Sequence, residues 1–205
     1  QRARHCFGCS ALMLCGAGSL GAFHVGVARA LVEQGLVPGV ISGASAGSIV
    51  AAMLGPRRGD ALRKSLSETD IRRSFDALRG TEEPAGGRGR IQRANLLAMV
   101  EWAVPDMTFL EAFEETKIQI NVSVAPSSLH QRSRLLNAST SPNAYIREAI
   151  LASCAIPGMF PAVTLAARDA LGKRRPYVPS RQWVDGSITD DLPARRLARL
   201  YGVNH

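Results

Sequence analysis

The pentapeptide Gly43-Ala44-Ser45-Ala46-Gly47 has the G-x-S-x-G pattern of a serine nucleophile on a strand-to-helix turn. A short apolar segment, Val37 to Ser42, precedes it, and a run of small residues that predicts a helix follows it. The turn is sharp, so the serine needs small neighbours, and both are alanine here. Free N–H groups at the helix amino terminus, Ala46 first, would support negative charge on an attacked carbonyl. The pattern predicts acyl-group chemistry; a tight turn used only for helix packing is the alternative.

A second glycine pattern, Gly16-Ala17-Gly18-Ser19-Leu20-Gly21, follows the first apolar segment, Ala11 to Cys15. In dinucleotide-binding domains such a G-x-G-x-x-G loop holds a pyrophosphate, and the next strand ends in an acidic residue. Here the next strand ends at Ser42-Gly43, and Glu33 falls too early, inside the helix. Bare N–H groups of Gly16, Ala17 and Gly18 can equally hold an oxyanion. We therefore expect an oxyanion loop beside Ser45 in preference to a nucleotide site.

The base that activates Ser45 is either a carboxylate or a histidine. Asp185 ends a predicted short strand and precedes Gly186, which leaves room around the carboxylate. Such a carboxylate can take a serine proton directly if burial raises its pKa toward neutrality. Ser45, Asp185 and His205 also follow the order of an α/β-hydrolase triad, but that elbow normally comes after several strand–helix units, and only one precedes it here. We expect Asp185 to be the base, and His24 to pack or cap locally in the first helix.

The elements around these residues alternate as strand, helix, strand and helix, which predicts a parallel sheet with helical crossovers. Residues 56–93 interrupt this order with a polar, glycine-rich stretch, and we expect an insertion or lid there. The further predicted elements are helices at Ala22 to Gln34, Ser45 to Leu54, Asp60 to Ser67, Asp70 to Leu78, Asn95 to Ala103 and Pro193 to Tyr201; a helix capped by Thr108 and Glu111; a helix starting at Ser141-Pro142; and a strand at Lys117 to Val124 paired with Arg132 to Leu136.

Length and charge suggest one basic domain. The chain has 205 residues and a formal net charge of +8. Ten basic and six acidic residues lie in the stretch from Arg57 to Arg93. This balance suits an anionic membrane surface or simply a solvated helical surface, and no nucleic-acid motif accompanies it.

Cysteine usage and hydropathy exclude several other classes of site. Cys6 and Cys9 have C-x-x-C spacing without a second ligand pair, so we expect free thiols, no metal and no cofactor. The absence of a disulfide framework predicts a reducing, cytoplasmic compartment. The uncharged run from Ala149 to Ala167 contains Pro157 and Pro161, which favour a buried helix end and an apolar loop over a membrane span.

In this order, the glycine loop, the elbow and the Asp185-Gly186 dipeptide resemble the patatin-like phospholipase family. The resemblance runs from about Leu12 to His205 and is strongest with the branch containing the lipid-droplet triacylglycerol lipases of fungi and plants and their bacterial relatives. Its other carriers are Ile41 to Ser48, Arg134 to Asn137, Thr140 to Asn143, Ala152 to Gly158, Ser187-Ile188, Asp191 to Pro193 and Val203 to His205.

This resemblance implies a three-layer α/β/α fold with a mostly parallel sheet over residues 1–205 and a Ser–Asp dyad without a catalytic histidine. Ser45 would be the nucleophile and Asp185 the base of a serine esterase acting on triacylglycerol or phospholipid through an acyl-enzyme. An acyltransferase using the same dyad and a non-catalytic lipid-surface module are the alternatives. The implied partners are a lipid substrate and a membrane or lipid-droplet surface bound peripherally. Relatives continue past His205 with another strand, which fits a fragment or domain lacking that strand.

Overall fold

The computed structural model describes residues 8–67, 93–128 and 131–205. Its strands are β1 (Ala11–Leu14), β2 (Val40–Gly43), β3 (Gln119–Pro126), β4 (Arg134–Leu136), β5 (Ala166–Arg168), β6 (Arg174–Pro176) and β7 (Trp183–Asp185). Its α-helices are α1 (Gly21–Glu33), α2 (Ala46–Leu54), α3 (Gly59–Ser65), α4 (Arg93–Ala103), α5 (Phe109–Thr116), α6 (Ile146–Ser153), α7 (Ser187–Asp190) and α8 (Ala194–Tyr201). A 3₁₀ turn, Gly18–Leu20, precedes α1.

A five-stranded sheet in the described part of the chain organises the fold. β1, β2 and β3 are parallel neighbours, whereas β4 and β7 both pair antiparallel with β3. A separate hairpin of β5 and β6 lies off this sheet. The predicted parallel sheet with helical crossovers is confirmed for β1 to β3.

Helices cover both faces of the sheet, as the three-layer prediction requires. The larger core includes Leu14, Ile41 and Val122 together with buried residues of α1, α2, α4, α5 and α6. On the opposite face, Leu197 of α8 packs on Val40 and Leu135. The α/β/α architecture is therefore present, with one helix layer much thinner than the other.

Most predicted helices lie within one or two residues of their expected positions, but one expectation needs correction. No helix starts at Ser141-Pro142: the amide of Ser141 bonds the Asn137 carbonyl in a turn, and α6 begins only at Ile146. The described part of the expected lid, α3, buries Leu62 and Leu66 in the core beyond the far end of α2. The predicted helix at Asp70 to Leu78 and the rest of the lid fall outside the described residues.

The same edge of β3 carries two strands, one after the other. Gly43 at the end of β2 lies opposite Val122, and Asp185 at the end of β7 lies opposite Val124. The other edge of β3 is taken by β4, which pairs with the same two valines. β2 and β7 therefore point at each other end to end. Their last residues are separated by two positions of β3, about 7 Å along a strand.

Candidate active site

Ser45 occupies the strained turn between β2 and α2. Its backbone angles are φ 48° and ψ −125°, a region that residues with a side chain rarely adopt. It is the N-cap position of α2, and its side chain accepts no capping hydrogen bond. The residue is only 7% exposed. This geometry is that of a nucleophile elbow, in which backbone strain lifts the serine out of the turn.

The glycines on either side of the elbow are required by close backbone contacts. A Cβ on Gly43 would lie 2.4 Å from the Gly47 carbonyl oxygen, and a Cβ on Gly47 would lie 2.2 Å from the Leu14 carbonyl oxygen. Since the clashing atoms belong to the backbone, no side-chain movement would relieve them. The G-x-S-x-G spacing therefore follows from the packing of α2 against the ends of β1 and β2.

Asp185 reaches the site from the opposite direction, at the end of β7. It is 2% exposed, and its Oδ1 accepts a hydrogen bond from the Ser187 amide at 2.8 Å. A Cβ on Gly186 would lie 2.3 Å from the Ser123 carbonyl oxygen, so only glycine lets the chain turn away from β3 there. The end-to-end arrangement of β2 and β7 thus brings the two predicted catalytic side chains to one point of the sheet.

Ser153, at the end of α6, fixes the elbow from behind. Its Oγ accepts a hydrogen bond from the Ser45 amide at 2.9 Å and donates one to the Ser123 carbonyl at 2.7 Å. All three residues are buried. The hydroxyl therefore joins the nucleophile turn to β3, the strand with which β7 and its last residue, Asp185, are paired.

Cys154 places a thiol beside both candidate catalytic residues. Burial raises the pKa of this thiol to about 12, and the negative charge of Asp185 acts in the same direction. Hydrogen bonds with the hydroxyls of Ser48 and Ser45 act in the opposite direction. The thiol stays protonated near neutral pH, so it cannot compete with Ser45 as a nucleophile.

The glycine loop lies against the elbow, as expected. A Cβ on Gly16 would lie 3.4 Å from the Cβ of Ser45 and 2.9 Å from that of Ser187. Gly16 differs from expectation in one respect, because its N–H donates to Oδ1 of Asp191 at 2.7 Å. A carboxylate on the segment after α7 therefore holds the first amide of this loop.

The other expected oxyanion donors have no such partner. Within the described ranges, the N–H groups of Ala17, Gly18 and Ala46 donate no hydrogen bond to the protein. Ala46 is the first residue of α2, where the helix dipole adds partial positive charge. Gly21 begins α1 instead, and its amide bonds the Gly18 carbonyl.

His24 and His205 are the two histidines in the described part of the chain. The Nε2 of His24 is 3.0 Å from the Cys15 carbonyl, so the ring caps the start of the glycine loop, as predicted. The His205 carbonyl accepts from the Ala11 amide at the amino end of β1. Ser45 follows the carboxyl end of β2, which is parallel to β1, so His205 is attached at the opposite end of the sheet.

A family comparison agrees with the motif order and the geometry. The family model described as patatin-like phospholipase matches residues 12–198. The chain belongs to the patatin-like phospholipase family. The match includes the glycine loop, the elbow and Asp185, so the predicted family resemblance is confirmed.

Two curated relatives of this patatin-like chain are named as lipases. Triacylglycerol lipase 4 of Saccharomyces cerevisiae is 34% identical over 222 residues, covering 100% of this chain and 24% of the relative. Triacylglycerol lipase SDP1L of Arabidopsis thaliana is 35% identical over 224 residues, covering 98% of this chain and 27% of the relative. The chain thus spans about a quarter of the length of these relatives.

A solved structure supports the fold. VipD from Legionella pneumophila aligns with a TM-score of 0.53 and 16% identity, covering 96% of this chain and 48% of that chain. None of the helices in the described part of this patatin-like chain has the length and apolar character needed to cross a membrane.

Sequence reasoning missed two polar groups of the site. Ser153 and Asp191 lie in segments that carry the family resemblance, but nothing local in the sequence assigns them a partner. Ser153 bonds an amide 108 residues away, and Asp191 bonds one 175 residues away. Such partners are set by the tertiary fold and not by neighbouring residues in the sequence.

Proposed function

We propose that the chain is a lipid acyl hydrolase in which Ser45 and Asp185 form the catalytic dyad. The observation that carries the proposal is the end-to-end meeting of β2 and β7, which sets a strained serine opposite a buried carboxylate. The family match and the lipase names of the relatives support ester hydrolysis as the reaction.

In the first step, Oγ of Ser45 attacks the ester carbonyl carbon while Asp185 accepts its proton. The tetrahedral oxyanion is held by backbone N–H groups, and collapse expels the alcohol, which takes the proton from Asp185. Asp185 then takes a proton from water, whose oxygen attacks the acyl-enzyme. The fatty acid leaves and Ser45 regains its proton.

Within this proposal, the oxyanion donors are the amides of Ala17, Gly18 and Ala46, which have no acceptor in the described protein. Gly16 is not among these donors, because its N–H is already bonded to Asp191. Asp191 is then a positioning residue that fixes the orientation of the loop. A charge-assisted hydrogen bond of this kind is stronger than a neutral one and suits that task.

The proposed substrate class is triacylglycerol or phospholipid, with triacylglycerol favoured by the names of the relatives. Such substrates lie in a lipid phase, so the enzyme must work at a surface. We propose cytoplasmic, peripheral attachment to a membrane or lipid-droplet surface, supported by the net charge of +8.

A substrate panel with two matched variants tests the function. Triacylglycerol, phospholipid, lysophospholipid and the dissolved ester p-nitrophenyl butyrate are assayed with parent, Ser45→Ala and Asp185→Asn proteins. Each variant should lose several orders of magnitude in kcat, and the double variant should lose no more than either single variant. Circular dichroism spectra should stay unchanged. A Ser45→Ala protein with near-parent turnover on every ester would contradict the proposal.

A further inference from the structure

Four large apolar side chains stand exposed on the two segments that meet at Gly16. Leu20 is 73% exposed and Phe23 is 77% exposed, on the 3₁₀ turn and first turn of α1 that follow the glycine loop. Ile188 is 59% exposed and Leu192 is 52% exposed, in and just after α7. We call these four residues the apolar rim.

The two halves of the apolar rim are held together beside Ser45. Gly16 contacts Ser187 closely, and its N–H bonds the carboxylate of Asp191. Leu20 and Phe23 follow Gly16 in the chain, whereas Ile188 and Leu192 flank Ser187 and Asp191. The apolar rim therefore lies at the carboxyl end of the sheet, beside the elbow that carries Ser45.

Single exposed apolar residues are ordinary on a protein surface, but four on the two segments that meet beside the elbow form a group that calls for an explanation. Each side chain leaves most of its area in water, so folding leaves the free energy of its burial unrealised. Burying the rim in a lipid phase would recover that free energy. It would also bring the opening to the place where an ester in that phase is found.

Exposed arginines follow the apolar rim along the chain, and Arg195 lines one groove together with Leu192. α8 begins two residues after Leu192, and its sequence is Ala-Arg-Arg-Leu-Ala-Arg-Leu-Tyr. Leu197 is buried against the sheet, whereas Arg195 and Arg199 are exposed. Apolar side chains bordered by arginine match a lipid surface with anionic headgroups, where insertion and charge attraction act together.

We propose that the apolar rim inserts into an anionic phospholipid surface, with Arg195 and Arg199 on its headgroups, and so presents Ser45 to the lipid. The inference rests on the proposed lipid acyl hydrolase function. It deepens that function by naming the face that docks and the chemistry it meets. The layer of phospholipid is either a bilayer or the monolayer around a neutral lipid.

Vesicle sedimentation tests the docking face without depending on turnover. All proteins carry Ser45→Ala, and the vesicles contain phosphatidylcholine with or without phosphatidylserine. Leu20→Ser and Phe23→Ser should each weaken binding to the anionic vesicles by about tenfold or more. Leu36→Ser is the matched control, because Leu36 is also 65% exposed but precedes β2 at the opposite end of the sheet. It should bind like its parent.

Charge variants separate the two parts of the proposal. Arg195→Gln with Arg199→Gln should weaken binding to anionic vesicles several-fold, and rising salt should weaken the parent in the same way. Parent-like binding by Leu20→Ser and Phe23→Ser would overturn the inference. So would a concentration-dependent dimer of the parent that both variants abolish in analytical ultracentrifugation, because the rim would then bind a second copy.

The outcome is distinguishable from failure of the proposed function. With Ser45 restored, the rim variants should lower the ratio of activity on emulsified lipid to activity on dissolved ester. A protein whose dissolved-ester activity survives Ser45→Ala refutes the dyad, whatever the vesicles show. A protein that needs Ser45 but binds vesicles equally well without Leu20 and Phe23 refutes the rim alone.

Discussion

Replacing Ser45 with glycine should give a more stable protein than replacing it with alanine. Both substitutions remove the hydroxyl, so they differ only in the Cβ and in backbone freedom. At φ 48° and ψ −125°, the Cβ of alanine keeps the strain that serine has, whereas glycine adopts these angles without it. At an ordinary position, glycine gives a less stable protein than alanine. The order of stability predicted at Ser45 is the opposite.

The magnitude follows from two opposing effects. Backbone strain of this kind costs about 1–3 kcal/mol, which glycine would recover. The greater freedom of glycine in the unfolded chain opposes this by about 0.4–1 kcal/mol. The difference in the free energy of unfolding should therefore favour Ser45→Gly over Ser45→Ala by about 1 kcal/mol, with an upper limit near 2.5 kcal/mol.

Urea denaturation followed by circular dichroism measures this difference, provided that the m-values agree. Ser48 supplies the control pair, because it is fully buried within α2 and only three residues from Ser45. There, Ser48→Gly should be less stable than Ser48→Ala by about 1 kcal/mol. If the Ser45 pair shows the same sign as the Ser48 pair, the elbow stores no strain and the reasoning is refuted.

Substitutions at three further positions test the proposed site. Asp191→Ala should lower kcat on p-nitrophenyl butyrate by about tenfold to a hundredfold through loss of its bond to Gly16, and Asp191→Asn should restore part of it; parent-like kcat in Asp191→Ala would contradict the positioning role. Burial raises the folded-state pKa of Cys154 to about 12, above that of a thiol in the unfolded chain. The contribution of Cys154 to the free energy of unfolding should therefore be fully present below the ordinary thiol pKa and be lost as pH rises toward 12. Cys154→Ala should remove this part of the pH dependence of the free energy of unfolding. Iodoacetamide should leave Cys154 unmodified at about pH 8 in the folded protein, as mass spectrometry would show. His205→Ala should keep most of the esterase activity, because its backbone is bonded to Ala11 at the end of the sheet opposite to Ser45; loss equal to that of Ser45→Ala would restore the triad hypothesis.

The sequence allowed the central sheet to be predicted because its parallel strands are short apolar runs ending in glycine-rich turns. The capping box of Thr108 and Glu111 was equally visible, and the structure shows both of its hydrogen bonds. Such signals depend only on neighbouring residues. The helix predicted at Ser141-Pro142 was wrong because a local pattern does not show the hydrogen bond from the Ser141 amide to the Asn137 carbonyl, which forms a turn there.

The hairpin of β5 and β6 was not predicted at all. Its strands, Ala166–Arg168 and Arg174–Pro176, are short and contain little apolar pattern. Their pairing is supported by the Asp169 carboxylate, which accepts from the amides of Leu171 and Lys173 in the turn. A turn held by a side chain in this way carries no hydrophobic periodicity that a sequence could show.

The residues of the candidate site were predictable from the sequence, but their arrangement in space was not. Ser45 and Asp185 were predicted from motifs, because an elbow and a D-G dipeptide impose strict local requirements on residue size. Their placement opposite each other depends on β7 running antiparallel along the same edge of β3 as β2, beyond the end of β2. That arrangement is a property of strand order, which local patterns do not encode.

In the proposed dyad, the same arrangement would let a carboxylate serve Ser45 without an intervening histidine. In a three-residue triad, the imidazole bridges a gap between a nucleophile and an acid that stand on separate elements. Here β2 and β7 end facing each other beside β3, so the two residues are brought near by strand pairing. Ser153 then bonds the Ser45 amide and the Ser123 carbonyl, tying the elbow to β3, the strand with which β7 is paired. Because buried backbone contacts fix the site, the exposed segments beside it are free to contact lipid. The proposed role of the apolar rim requires this freedom.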